Sequence, residues 1–349
     1  VSAPKGAITF GDFAAEYLSG ELSLRFPDHV PTRDPGTVED DEARLKLYVL
    51  PHLRNVPLLA IRLEACDAVM SQLPTHYKGG RPMSRATRRH VAQIVRRMLT
   101  LAAYPCRYIP VSPIPRGWLP RVGKPPRYPF LYPDEDARLL ACKDVPLVNR
   151  VLYGLLAREG TRGPSEALAI PVHRIDFAHG TYGLGDNKTD DPRGWVLGAD
   201  VAQALQIWVE HFHPKPEPES LLFLDPATSE PPEDNGHLAK KFREHLRLAG
   251  VLRPELFEKS EIRRPIRAHD LRATFITLAL AQGKSEQWVM DRSGHTTSAM
   301  LQRYRRAART VAEAKMTTLA PLHLAISEFA PFISKTIVAV TPPEPDGDS

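Results

Sequence analysis

The chain has 349 residues, 42% of them hydrophobic and 25% charged, with a formal net charge of +5. That is too long for one comfortable core and suits two domains plus appendages. No apolar run approaches the roughly 18 residues needed to cross a bilayer, which excludes a spanning helix and a membrane partner.

The start, VSAPKGAITF, lacks the charged and apolar blocks of a signal peptide, and without an initial Met it leaves room for a further module upstream. Cys66, Cys106 and Cys142 stand far apart with no CxxC pair, which argues against a disulfide scaffold or zinc finger and fits a reducing cytoplasm. The basic excess is compatible with nucleic-acid binding, though many soluble proteins share it.

Thr9 followed by Asp12 predicts a helix start, and Phe10, Phe13, Ala14, Tyr17 and Leu18 follow at helical spacing. A second helix is expected over Glu39–Val49, stopping before Pro51, and a third over Leu63–Leu73. The fourth, from about Ser84 to Tyr104, is the informative one. At about 100° per residue, Arg89 and Arg96 fall within roughly 40° of Arg85, and Arg88 lies about 60° the other way. Val91, Ile94, Val95, Met98, Leu101 and Ala102 take the opposite side. Such a guanidinium row serves either as a solvated surface or as a face for a DNA backbone, whose phosphates arginine matches well.

Residues 105–129 hold eight prolines, five Lys or Arg, and no acid. Proline at that density predicts an extended connector between domains. Its cations, Arg116, Arg121 and Lys124 among them, suit either plain solvation or a path beside a polyanion.

Beyond the connector, PDEDARLLACK reads as a helix with acids in its first turn, and Leu147–Leu156 as a buried one. Between Val172 and Leu197 short runs broken by glycines predict a small antiparallel sheet. Helical patterns return at Ala199–Phe212, Asp234–Ala249, His269–Gln282 and Lys284–Asp291. The fold class is therefore mainly α with a small antiparallel β-sheet, in two domains. His211, His213, His237 and His245 lack a ligand-spaced partner and read as solvated helix-end histidines rather than a metal site.

Three stretches carry chemistry. In EGTRGPSEALAI, Arg162 stands between a buried helix and a new one expected from Pro164, with Glu166 as an orienting partner. In AHDLRATF, His269 and Arg272 are three apart and share a helix face. In SGHTTSAMLQRYRR, His295 follows a glycine and Tyr304 comes nine residues later among Arg303, Arg305 and Arg306, poor surroundings for an ordinary core tyrosine.

The ordered set Gly-x-Arg, hairpin Lys, His-x-x-Arg, Gly-His, Tyr resembles the tyrosine recombinase (phage integrase) family. The resemblance implies a helical core-binding, DNA-binding domain over 1–115 and a linker over 116–129. It further implies a mixed α+β catalytic domain over 130–310 and a tail over 311–349. The tail's apolar part docks either on a neighbouring subunit or in its own domain, and its PPEPDGDS end reads as disordered.

As function, the resemblance implies a site-specific recombinase that cleaves and rejoins DNA through a 3′-phosphotyrosine, integrating or excising a mobile element. Tyr304 is the implied nucleophile, and Arg162 and Arg272 the clamps on the non-bridging oxygens. Lys188, in GDNKTDD, is the implied proton donor to the leaving oxygen, with Arg193 a weaker substitute. His269 accepts a proton or binds phosphate, and His295 donates to it. Arg85, Arg88, Arg89, Arg96, Arg116, Arg121 and Lys124 are the implied DNA-binding residues.

No cofactor and no metal is implied, in keeping with a sequence that has neither a P-loop nor clustered carboxylates. The partners implied are duplex DNA with specific recombination sites, three further protomers in a tetramer on two duplexes, and accessory DNA-bending proteins. Localisation would be cytoplasmic, on the nucleoid when bound to DNA. One departure from the family pattern stands out: Glu166 is four residues after Arg162 rather than three, which admits Arg158 as a rival. A type IB topoisomerase-like enzyme and a catalytically silent DNA-binding protein are the alternatives.

Overall fold

The computed structural model describes residues 8–77, 79–123, 128–163, 166–185, 193–232, 238–260 and 262–333. The chain divides into two compact units, residues 1–125 and 126–349.

The first unit is helical: α1 (Phe10–Leu18), α2 (Glu21–Arg25), α3 (Pro35–Arg44), α4 (Leu50–Leu53), α5 (Leu63–Ser71) and α6 (Arg85–Ala103). The expected helix start is present, since the Thr9 hydroxyl accepts from the Asp12 amide while the Asp12 carboxylate accepts from the Thr9 amide, both at 3.2 Å. The helix expected to stop before Pro51 does not. A π-helical turn over Leu45–Val49 leads straight into α4, whose first turn contains Pro51. The core gathers Phe10, Phe13 and Leu45 with Val91, Val95 and Met98 of α6, all essentially inaccessible. Within it Asp41 accepts from the Tyr17 hydroxyl at 2.8 Å and pairs with Arg33 at 3.2 Å.

The second unit contains α7 (Pro133–Ala141), α8 (Leu147–Glu159), β1 (Ile175–Asp176), β2 (Thr181–Leu184), β3 (Arg193–Val196), α9 (Ala199–His211) and α10 (Leu238–Leu248). It continues with α11 (Leu271–Ala281), α12 (Glu286–Ser293), α13 (Ser298–Glu313) and α14 (Leu322–Ala325). The strands form an antiparallel sheet in sequence order, with Tyr182 opposite Ile175 on one side and Trp195 on the other. The mainly helical class with one small antiparallel sheet is thus the observed one. Helix α8 is buried along nearly its whole length, and α11 packs against both α8 and α13.

After α13 the chain returns to its own unit. Leu322, Ile326 and Phe329 are fully buried in the core that contains α8 and α9. Gly154 of α8 makes room for this return, because a Cβ there would stand 2.2 Å from Leu322 Cδ1. The fully buried Arg150 guanidinium is forked onto the Glu328 carboxylate at 2.9 and 2.5 Å.

The reading of the histidines as solvated needs correction. His213 and His245 are buried, the first against the Leu221 carbonyl at 2.8 Å and the second against the Tyr153 hydroxyl at 3.0 Å. Both lie on the inward side of their segments, which supplies a partner for each ring. His211 stacks on Phe332, and His237 falls outside the described residues. Among the described residues no helix is long and apolar enough to cross a membrane.

Candidate active site

Two helix ends build the centre of the second unit. Helix α8 ends at Gly160 and α12 at Gly294, each in the left-handed conformation, with φ of 70° and 59°. Glycine is the residue that adopts this cap without strain, and both positions are also crowded. A Cβ on Gly160 would meet the Phe275 ring at 2.3 Å, and one on Gly294 the Arg193 guanidinium at 2.4 Å.

These caps orient the two arginines. Arg272, in the first turn of α11, donates to the Gly160 carbonyl at 2.6 Å, and Arg162 donates to the Gly294 carbonyl at 3.1 Å. Arg162 is further held by Glu166, whose carboxylate accepts from its guanidinium at 2.6 Å and from its own backbone amide at 2.7 Å. The four-residue separation of Arg162 and Glu166 therefore closes a compact loop. Residues 164 and 165 lie outside the described residues, and only a 3₁₀ turn over Ala167–Ala169 follows where a helix from Pro164 was expected.

The rival Arg158 is committed elsewhere. It pairs with Asp136 at 2.8 Å, donates to the Ala320 carbonyl at 2.6 Å, and is absent from the cavity that Arg162 lines. Lys188 and Lys124 lie outside the described residues.

His269 and Arg272 face the same cavity, although His269 stands in a 3₁₀ turn over Ala268–Asp270 that runs into α11. His269 Nδ1 lies 3.0 Å from the Gly163 carbonyl. A carbonyl only accepts, so Nδ1 carries the hydrogen and Nε2 keeps a lone pair. Burial lowers the pKa of His269, which keeps that lone pair available near neutral pH.

His295 Nδ1 is 3.4 Å from Arg272 Nη2 and 2.8 Å from Ser293 Oγ. A guanidinium offers only hydrogens, so Nδ1 is the acceptor and Nε2 holds the proton that a phosphate could receive. Burial and the cations of Arg272 and Arg162 push His295 down to about 3, so the ring is neutral. Arg272 itself is brought down to about 9, chiefly by burial and then by Arg162. The cations are crowded, and an anion entering between them relieves their repulsion.

Tyr304 lies on α13 in a buried stripe with Leu301, Ala308 and Val311, and is 7% exposed. Its cationic neighbours do not keep the ring out of the core, contrary to expectation, because helical geometry turns Arg303, Arg305 and Arg306 to the surface while Tyr304 faces α11. The phenol makes no hydrogen bond with the described residues, and burial pushes its pKa up to about 12. Arg162, His269, Arg272, His295 and Tyr304 thus line one cavity of about 190 Å³, joined by Tyr128, Asp270 and Arg303.

Two participants were not legible in the sequence as such. Arg193, weighed only as a substitute for Lys188, donates to Glu166 at 2.7 Å and to the Arg292 carbonyl at 2.8 Å. Tyr128, at the end of the proline-rich stretch, stacks on Tyr304. No local motif marks either one, since both act through partners far away in sequence.

Of the cations expected to contact DNA, Arg85, Arg96, Arg116 and Arg121 are exposed. Arg88 donates to the carbonyls of Met70 and Leu73, and Arg89 to that of Pro120.

The phage integrase family model matches residues 129–310, just over half the chain. No curated protein sequence matches. Among solved structures, a lambda integrase dimer bound to a COC′ core site is similar at a TM-score of 0.62 and 16% identity, covering 85% of this chain and 95% of that one. The Tn1549 transposon integrase in complex with a circular intermediate DNA is similar at 0.63 and 16%, covering 88% and 99%. A lambda integrase tetramer bound to a Holliday junction matches at 0.60 and 16%, covering 84% and 79%. At these identities the structural likeness is one of fold.

Proposed function

Because the chain belongs to the phage integrase family, and is thereby a tyrosine recombinase that acts on DNA, we propose that it cleaves and rejoins strands at specific sites through a 3′-phosphotyrosine on Tyr304. The observation that carries this reading is the convergence of Arg162, Arg272, His269, His295 and Tyr304 on one cavity.

Tyrosine attack builds negative charge on a five-coordinate phosphorus. Arg162 and Arg272, pre-oriented by the glycine carbonyls, stand where that charge develops, and such oriented donors are each worth on the order of 10²–10³ in rate. The His295 Nε2–H is a further donor to the phosphate. The Tyr304 Oη–phosphorus bond forms as the bond to the 5′-oxygen breaks. The phenol proton passes to the bare Nε2 of His269, and Lys188 gives a proton to the leaving 5′-oxygen. The phosphotyrosine conserves the energy of the phosphodiester, so rejoining needs neither ATP nor a metal.

In this reading four protomers assemble on two duplexes, as the lambda integrase tetramer does on a Holliday junction, with accessory DNA-bending proteins as further partners. The element served is mobile, and the protein associates with the nucleoid when bound to DNA.

A suicide DNA substrate, from which the cleaved strand diffuses away, tests the reading. Wild type is expected to give a covalent protein–DNA adduct and Tyr304→Phe none, with binding retained. An adduct that survives Tyr304→Phe overturns the assignment. Strand exchange between two duplex sites separates recombination from topoisomerase-like relaxation, and a silent DNA-binding protein gives no adduct at all.

A further inference from the structure

Tyr304 meets an unusual neighbour. The Tyr128 ring lies parallel to it, with centroids 5.5 Å apart and planes 16° from each other, an offset stack. The Tyr128 hydroxyl accepts from Arg303 Nη1 at 2.6 Å, so the residue preceding Tyr304 holds the ring that covers it. Arg264 sits 4.4 Å from the centre of the Tyr128 ring and is itself anchored to Asp270 at 2.6 Å. Tyr128 is therefore fixed at both ring and hydroxyl.

The nucleophile needs such a support. Its hydroxyl makes no hydrogen bond with the described residues, and among these it is the packing around the ring that sets where the oxygen points. The ring packs in one apolar cluster with Ala273, Ile276 and Leu301, and the centroid of the His295 ring lies 6.2 Å from its own. Tyr128 covers one face of the ring and also lines the cavity. Attack on phosphorus succeeds only from nearly in line, and a misplacement of about 1 Å can cost on the order of 10² in rate.

We propose that Tyr128 is a positioning residue for the strand-cleavage step, its stacked ring fixing the direction from which Tyr304 attacks. The inference rests on Tyr304 being the nucleophile.

The charged and titratable groups around Tyr304 are Tyr128, Arg272, Arg303, Asp270 and His295, with Arg162 and His269 lining the same cavity. After burial, Tyr128 is the largest influence that raises the Tyr304 pKa, because two phenols so close resist sharing a negative charge. Tyr128→Phe removes the acceptor of Arg303 Nη1 but keeps the aromatic ring that Arg264 contacts and that stacks on Tyr304.

The test is single-turnover cleavage of a suicide substrate by full-length Tyr128→Ala, Tyr128→Phe and Tyr304→Phe, with the Kd for the same DNA measured in parallel. Tyr128→Ala is expected to cleave about 10- to 100-fold more slowly, with the Kd unchanged within about twofold. Tyr128→Phe is expected to keep cleavage within about threefold, consistent with a retained stack. The proposal is overturned if Tyr128→Ala cleaves at the wild-type rate or faster, or if Tyr128→Phe loses as much as Tyr128→Ala. It is also overturned if binding falls in step with cleavage. Should Tyr128→Ala fail to fold, Tyr128→Leu takes its place, since it fills volume without a flat ring to stack on Tyr304, and cleavage by it at the wild-type rate counts against the proposal. An adduct formed by Tyr304→Phe would place the failure in the nucleophile assignment instead.

Discussion

Arg193 donates to the same carboxylate oxygen of Glu166 that Arg162 uses, at 2.7 Å, from a side chain only 7% exposed. The first residue of β3 is thereby tied to the loop that carries a phosphate-clamping candidate. Arg193 also reaches the Arg292 carbonyl at the end of α12, so sheet, loop and helix end share one guanidinium. Without Arg193, Glu166 keeps Arg162, so what is lost is one charge-assisted hydrogen bond and one to a carbonyl, about 1.5–3 kcal/mol. Arg193→Ala is expected to lower unfolding stability by that order, measured in urea, and to slow cleavage. Unchanged stability would show that this carboxylate does not need its second cation.

Arg272→Ala is expected to reduce cleavage by on the order of 10²–10³ while DNA binding changes little, as measured by single-turnover assay and mobility shift. Gly160→Ala should reproduce much of that loss, because the new methyl group meets Phe275 and displaces the carbonyl that orients Arg272. Equal loss of binding and cleavage in Arg272→Ala would make its role structural.

The Arg150–Glu328 pair carries a pH signature. Glu328 is held at about 2, first by its hydrogen bond with Arg150, against an ordinary value of 4.5. A carboxylate depressed in the folded state adds stability that is complete above its unfolded pKa and drains away as pH falls towards the folded one. The stability of the wild type relative to Glu328→Gln should therefore shrink between about pH 4.5 and 2. With Glu328 partly exposed, the substitution at neutral pH is expected to cost about 1–3 kcal/mol. A difference that stays constant with pH would disprove the coupling.

His295 should remain neutral well below the usual imidazole range, since its pKa is pushed down to about 3 by burial and surrounding cations. Folded-state depression of a base means that the unfolded chain binds the extra proton, so this contribution to stability is full above about pH 6.5 and lost as pH falls below it. NMR of the His295 ring should show no titration down to about pH 5, within the range that burial allows. A midpoint near 6.5 would refute the cation-crowded site.

The basic helix divides into two kinds of arginine. Arg85→Ala and Arg96→Ala should each reduce the slope of log binding constant against log salt by about 0.9. Arg88→Ala should instead lower stability by about 1–3 kcal/mol, because its guanidinium satisfies two backbone carbonyls. Identical salt effects from all of them would erase the distinction.

Much was readable along the chain because it is written in local periodicity. Helical spacing places α1, α6, α8 and α9, and Gly160 shortly before Arg162 and Gly294 before His295 announce the caps of α8 and α12. Arg162, His269, Arg272, His295 and Tyr304 were legible because each sits beside such a local signal. The passage of the chain through Pro51 was not, since a π-helical turn depends on what packs around it. Nor was the burial of His213 and His245, whose partners lie elsewhere in the unit.

By itself, then, the sequence determined which side chains could do phosphoryl chemistry and the order in which they come. Only the tertiary structure decided which carbonyl or carboxylate holds each of them. It tied Arg193 to Glu166, paired Arg158 with Asp136, and laid Tyr128 on Tyr304. The reason is physical: residue type and short-range spacing follow from covalent neighbours, whereas the partner of a buried charge or ring is chosen by packing between segments far apart in sequence, 176 residues for Tyr128 and Tyr304 and 178 for Arg150 and Glu328.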